Sequence, residues 1–398
     1  MCESMHERPE RLRDRRVPAL GLRVQIVDSF DGLLDLERDY AHLHEVGGDD
    51  LPFALHDWHV TWWRHFSRST AGLHDELMFH VVRDEQRRCV AIVPLVLTRR
   101  GYGRFSVGSL AFLGPDRGVT EIQGPLIAPG METRVAWAVR QSLAEATNWD
   151  WIQWSGITGS FGEGLAVAGR LQWQEPIASY VLSLPPTWAA FDRLLKRNVR
   201  ESLRRGYDAL ARDGLELTFT VAQTPPDVRQ GLASLLTLHS GQGGHPGRFA
   251  DAASAGFLYE LCARLAAKGV ARVFVLRVGQ AVVAARIAFQ VRGSLYLYDA
   301  AFDSRWAKYG VMVTLTAEIL KYAIASKITT VNLSTAPGAS ETGWPARAVR
   351  LDRAREEHPR IRSRVAFAAY RGLTSRRTAA WAAPRLFSQA GSQRGARP

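Results

Sequence analysis

Alternation and helical spacing of apolar positions divide the chain into a regular succession of elements. A short strand over 22–26 precedes a helical pattern over about 30–45. Trp58, Trp62 and Phe66 then share one helical face and read as core. Two apolar runs, 77–82 and 89–97, flank the polar turn 83–88 and predict a hairpin, extended by a strand within 103–113. A helix over 132–147 leads to a strand at 151–154, a small helix over 158–169, and strands at 171–175 and 179–184. The spacing predicts one long helix over 188–212, with Phe191, Leu195, Val199, Leu203, Tyr207 and Leu210 on one stripe. Arg193, Lys196, Arg197, Arg200 and Arg204 form a second, basic stripe on the same helix. A strand over 215–221 and helices over 227–239 and 252–268 come next, the two helices separated by the glycine-rich loop 241–247. Strands over 271–278, 281–290 and 294–301, a helix over 311–326 and a strand over 328–333 complete the patterned part. Residues 1–21 and those beyond Ser334 lack periodicity; disorder is expected at the start and from Arg371 onward.

The order of elements repeats. Each half runs through three meandering strands, a helix and a further strand, although the two sequences are not alike. That pattern argues for two similar α/β domains, 22–178 and 179–370, between a tail at 1–21 and a basic tail at 371–398. In the second half the strand 294–301 feeds the helix at Val311 through Gly310. Bare backbone at a helix start can offer its amides to an anion, and an ordinary strand–loop–helix turn has the same appearance.

Composition narrows the class. The chain has 398 residues and 46% hydrophobic content, which fits a globular protein of two domains or one large one. It has no apolar run long enough to span a membrane and no signal-peptide pattern at its start, so a cytoplasmic location is expected. Cys2, Cys89 and Cys262 are too far apart for a zinc site or a disulfide framework, and no metal is expected. The formal net charge is +12, and residues 371–398 hold six arginines and no acid. Such a tail suits solubility, or an anionic neighbour such as lipid headgroups, nucleic acid or an acidic polymer, with contact to a membrane surface or a membrane synthase among the expectations.

Several strings stand out along the chain: Trp58-His59-Val60-Thr61-Trp62-Trp63, Ala91-Ile92-Val93-Pro94-Leu95, the run from Leu194 to Arg205, Leu238-His239, Tyr298-Asp299-Ala300-Ala301-Phe302-Asp303, Trp306, Tyr309-Gly310 and Val331-Asn332-Leu333-Ser334. Together they resemble the CelD-type acyltransferases of polysaccharide loci, relatives of the FemAB aminoacyltransferases within the GNAT superfamily. The resemblance implies an α/β fold of two tandem GNAT-like domains, each a mixed central sheet flanked by helices. It implies acyl transfer from acyl-CoA, acetyl-CoA in the simplest case, to an amine or hydroxyl of a small or glycan-linked acceptor in envelope or exopolysaccharide synthesis. Aminoacyl transfer from tRNA is the enzymatic alternative and the one role for nucleic acid; a non-catalytic scaffold is the other alternative.

The same resemblance implies donor contacts at Trp306, Tyr309, Gly310, Val311, Asn332 and Ser334, and acceptor contacts at Phe249 and Trp344. The basic face with Lys196, Arg197 and Arg200 reads as a solvated helix face, or as a substrate contact for a phosphate-rich molecule such as coenzyme A, a nucleotide sugar or a tRNA. Acyl transfer to an amine needs proton removal and a donor for the oxyanion. Asp299 and Asp303 stand at the end of the strand where the acyl group would arrive, with Asp303 equally suited to capping the next turn. A histidine suits a general base, so His239 is a candidate for that role, or is simply packed. Tyr309 could return a proton to the leaving thiolate, or is a core residue. Relatives carry a Lys shortly before the Trp equivalent to Trp344, whereas 339–343 here has none.

Overall fold

The computed structural model describes residues 14–17, 21–47, 50–103, 106–115, 118–167, 170–241, 248–335 and 343–378. The glycine-rich segment 242–247, the Lys-less segment 336–342 and the tail from 379 lie outside the described residues. In the first half, β1 (Asp14–Val17) and β2 (Leu22–Val27) lead to α1 (Phe30–Asp35), α2 (Glu37–Glu45) and α3 (His56–Phe66). Next come β3 (Ser69–Thr70), β4 (Leu73–Arg83), β5 (Cys89–Arg100), β6 (Val107–Phe112), β7 (Leu126–Ile127), α4 (Glu132–Glu145), β8 (Trp151–Ile157) and α5 (Gly159–Val167). The chain continues through β9 (Gln172–Ser183), α6 (Trp188–Leu194), α7 (Arg197–Arg212), β10 (Leu217–Ala222), α8 (Pro225–Gly241) and α9 (Ala252–Ala267). It closes with β11 (Ala271–Val278), β12 (Ala281–Val291), β13 (Ser294–Phe302), α10 (Val311–Ala325), β14 (Thr330–Asn332), β15 (Arg347–Glu357) and α11 (Ile361–Thr378).

The expected repeat is present. β4, β5 and β6 form an antiparallel meander, α4 crosses over, and β8 returns parallel to β6. β11, β12 and β13 do the same, with α10 crossing to β14, parallel to β13. The two similar units share one sheet of order β1-β2-β4-β5-β6-β8-β15-β9-β14-β13-β12-β11-β10. One core lies across both halves on one face, where Trp58 of α3 packs edge-on against Phe257, Phe289 and Tyr298. Each half has a separate core on its other face, around Trp154 and around Phe274 with Leu315.

Several expectations change. Asp14–Val17 is a strand paired with β2 rather than part of a disordered tail. The two strands expected at 171–175 and 179–184 are one, so position 178/179 falls inside β9. Pro176, which has no N–H to give a ladder, lies opposite the register shift between Leu351 and Arg353. The helix expected over 188–212 breaks at Leu195 and Lys196, both extended. Arg200 donates to the carbonyls of Asp192 and Leu195, satisfying the end of α6. The stretch beyond Ser334 supplies β15, which joins the halves between β8 and β9. Its arginines and glutamates hid it, because only Leu351, Ala354, Glu356 and the following His358 are buried. Arg371 falls inside α11 rather than at the start of an unstructured tail.

Candidate functional site

The site forms where β13 and β14 part. Their parallel pairing covers only Ser294–Tyr296 against Thr330–Asn332, while β13 runs on to Phe302. Beyond β14, Leu333 donates to the Tyr180 carbonyl and so follows β9 away from β13. A bulge lies opposite the opening: Ala288 pairs with Leu297 and Ile287 with Asp299, leaving Tyr298 as the extra residue. The extra residue reverses the alternation. Tyr296, Tyr298 and Ala301 therefore all meet the shared core, and Asp299 turns to the same side.

Opposite stands α8. Val228, Leu232 and Leu235 bury one face of it, and His239 continues that stripe at the next helical interval. His239 Nε2 reaches Asp299 Oδ2 at 2.7 Å, with both side chains largely buried. A carboxylate only accepts, so Nε2 carries the hydrogen and Nδ1 holds the lone pair.

A second cluster lies beside this pair. Glu121, on the connection between β6 and α4, crosses from the first half into the opening. Its carboxylate accepts from Arg248 Nη1, the Tyr296 hydroxyl and Ser334 Oγ, each at 2.6 Å. The Tyr298 hydroxyl donates to the Val119 carbonyl at 2.6 Å, and Arg248 lies 5.0 Å over the Tyr298 ring. Burial alone would lower the affinity of Arg248 for its proton, but Glu121, together with Tyr298 and Asp299, more than offsets it and holds the group above its usual range. Burial first, then the Glu121 charge, keeps the Tyr296 phenol protonated. Asn332 Oδ1 accepts from Ser179 Oγ and from the Ser334 amide, which fixes Ser334 at φ 77. A cavity of about 410 Å³ adjoins the cluster between the halves, with Phe53, His59, Thr120, Ser179, Asn332 and Leu351 on its wall.

The other predicted residues are distributed more widely. Asp303 accepts from the Arg305 amide and guanidinium, capping the 3-10 turn Ser304–Tyr309. The Tyr309 hydroxyl donates to Asp213 at the end of α7, and its carbonyl lies against Gly206, where a Cβ would come within 2.6 Å. Trp306 packs on the Tyr309 ring. Gly310 adopts φ 65 as the N-cap of α10, with no side-chain cap on the first turn, and Val311 beneath it is buried. Lys196 and Arg197 are exposed at the start of α7, Arg197 paired with Glu201, and Arg200 is paired with Asp192. Phe249 is buried against Tyr298. Trp344 is buried and stacked on Phe191, which makes it a packing residue of the α6–α7 core. Cys89 and Cys262 are buried, and burial pushes the Cys89 thiol up to about 12. No group of three or more His, Cys, Asp or Glu placed for a metal occurs among the described residues.

His239 and Asp299 are thus brought together, with Asn332 and Ser334 beside them, while Asp303 and Tyr309 are committed to the turn and to α7. Glu121, Arg248, Tyr296 and Ser179 escaped sequence reasoning. Glu121 lies in an aperiodic connection, and its three donors are more than 120 residues away.

Residues 197–341 match the acetyltransferase (GNAT) domain family. No curated protein matches the sequence. Among solved structures, the crystal structure of FemX is similar at a TM-score of 0.54 and 10% identity, covering 80% of this chain and 94% of that one. The L-PGS structure from Bacillus licheniformis gives 0.48 at 13% identity over 84% and 96%, and a tandem GNAT protein from the clavulanic acid biosynthesis pathway 0.43 at 12% over 85% and 99%. At these identities the first likeness speaks for the fold alone.

Proposed function

We propose that this chain, an N-acyltransferase carrying an acetyltransferase (GNAT) domain, transfers an acyl group from acyl-CoA to an amine or hydroxyl, with His239 as general base. The observation that carries this is the 2.7 Å contact between His239 and Asp299 at the bulge beside the open edge of β13. Asp299 fixes the imidazole with Nδ1 free to take the acceptor proton, and its charge stabilises the imidazolium that results. From Leu297 onward the β13 edge facing β14 has no strand partner among the described residues, so an extended amide-bearing arm of the donor can add to it. The uncapped first turn of α10 suits the donor's phosphates. Neither His239 nor Asp299 lines the cavity between the halves, so it is the space for the body of the acceptor, away from its reacting atom. The strings shared with CelD-type enzymes support an acceptor from envelope or exopolysaccharide synthesis.

The test is thioester consumption across amine and hydroxyl acceptors. Asp299→Asn and His239→Gln should each lower kcat by about 100–10,000-fold. Asp303→Asn should stay within about threefold, since that carboxylate serves its own turn. A His239→Gln enzyme with the wild-type rate would overturn the assignment.

A second reading, aminoacyl-tRNA as donor, is favoured by the exposed arginines and lysine of α6 and α7: Arg193, Lys196, Arg197, Arg204 and Arg205. Such a face suits a phosphate backbone. Calorimetric titration with coenzyme A and, separately, with aminoacyl-tRNA distinguishes the two donors.

A further inference from the structure

Over residues 361–371, helix α11 has two apolar stripes, and one of them is covered while the other is exposed. Ser363 and Phe367 are buried, with Tyr370 half-buried one turn on. Phe367 and Tyr370 pack on Trp151 at 5.3 and 4.9 Å. That stripe attaches the helix to the sheet. On the opposite side, Ile361 is 79% and Val365 64% exposed, and Ala368 follows at the next helical interval, also exposed. Ile361, Val365 and Ala368 therefore form one outward apolar strip. Exposed arginines flank it, Arg362 on one side and Arg364 and Arg371 on the other. Nothing in this part of the chain opposes their charge: residues 358–398 hold nine arginines and no Asp, Glu or Lys.

We propose that the outward face of α11 docks the protein on an anionic lipid surface, lying in the interface rather than crossing it. No helix among the described residues is long and apolar enough to cross a membrane. An apolar strip bordered by guanidinium groups matches both layers of an anionic membrane surface. The aliphatic side chains enter the acyl boundary while the arginines meet headgroup phosphates. A nucleic acid would use the arginines but leave Ile361 and Val365 in water, so the exposed strip favours lipid. The inference is independent of the acyl-transfer reading, since none of these side chains belongs to the His239–Asp299 site.

The test is co-sedimentation of the full chain with vesicles of phosphatidylglycerol and phosphatidylcholine, and with phosphatidylcholine alone. Binding is expected to the anionic vesicles only and to weaken in high salt. The neutral double substitution Ile361→Ser with Val365→Ser should lower it about tenfold. Arg364→Gln should weaken it further, with the melting temperature and thioester turnover in solution unchanged. Equal binding to both vesicle types, or none, overturns the proposal. So does a double Ser variant that binds like wild type, which moves the contact to another surface. Two further results count against it. One is tighter binding to RNA that ignores the Ser substitutions. The other is self-association in light scattering that those substitutions abolish, which would make a second copy the occupant.

Discussion

Breaking the Glu121–Arg248 pair is the sharpest probe of how the two halves build one site. The pair closes at 2.6 Å, with the Glu121 side chain 4% and the Arg248 side chain 29% exposed. Two unit charges about 4 Å apart at an effective dielectric near 20 attract by about 4 kcal/mol. Desolvation offsets much of that in the intact pair, but it turns into a direct penalty once one partner is gone. Removing one member of such a pair costs about 3–5 kcal/mol. Here Tyr296 and Ser334 still donate to the carboxylate after Arg248→Met, so the low end, about 3 kcal/mol, is expected. Glu121→Gln leaves Arg248 facing an amide and should cost a similar amount. The double variant carries no unpaired charge, so it should cost about 2–3 kcal/mol less than the sum of the singles. Urea unfolding followed by tryptophan fluorescence on all four proteins gives the coupling energy directly. A coupling below about 0.5 kcal/mol would show that the two charges do not hold the halves together, and the argument would fail.

Other outcomes follow from the same contacts. Gly156→Ala places a Cβ 1.9 Å from the Gln123 carbonyl at φ 67, so it should destabilise by more than about 2 kcal/mol and displace the connection that carries Glu121; a variant as stable as wild type in urea would contradict the packing described. Trp344→Ala should cost about 3–5 kcal/mol of stability by emptying the stack on Phe191, whereas an unchanged unfolding midpoint with a raised acceptor KM would return Trp344 to the binding surface. Burial, with the neighbouring His56 adding to it, lowers His59 to about 3, and burial lowers His80 to about 4. Both stay neutral in the fold at pH 5 while the unfolded chain takes up protons below about pH 6.5, so this contribution is full above that pH and is lost as it falls toward 4 for His80 and 3 for His59, by about 4 kcal/mol in all at pH 5. Urea midpoints at pH 7 and pH 5 check this, His80→Gln should halve the loss, and equal midpoints would refute it.

Local pattern alone was enough for most of the fold. The meander–helix–strand repeat is written in period-2 and period-3.6 spacing, because each element buries one side against a core whatever its partners are. His239 and Asp299 were legible as chemistry-bearing residues, one at the end of an amphipathic helix and one at the end of a buried strand. Their meeting was not, since it depends on the bulge at Tyr298 that turns Asp299 toward α8. The place of β15 was hidden for a related reason. A strand that lies between two halves takes its stability from ladder hydrogen bonds on both edges, and its arginine-rich side chains carry little hydrophobic signal. Glu121 is the clearest case. A single acid in an aperiodic connection has no local signature, and only the packing of one half against the other gives it Arg248, Tyr296 and Ser334 as partners. Sequence fixes what each segment does with its own neighbours; contacts between distant segments depend on how whole layers settle together, and the candidate site is made of such contacts.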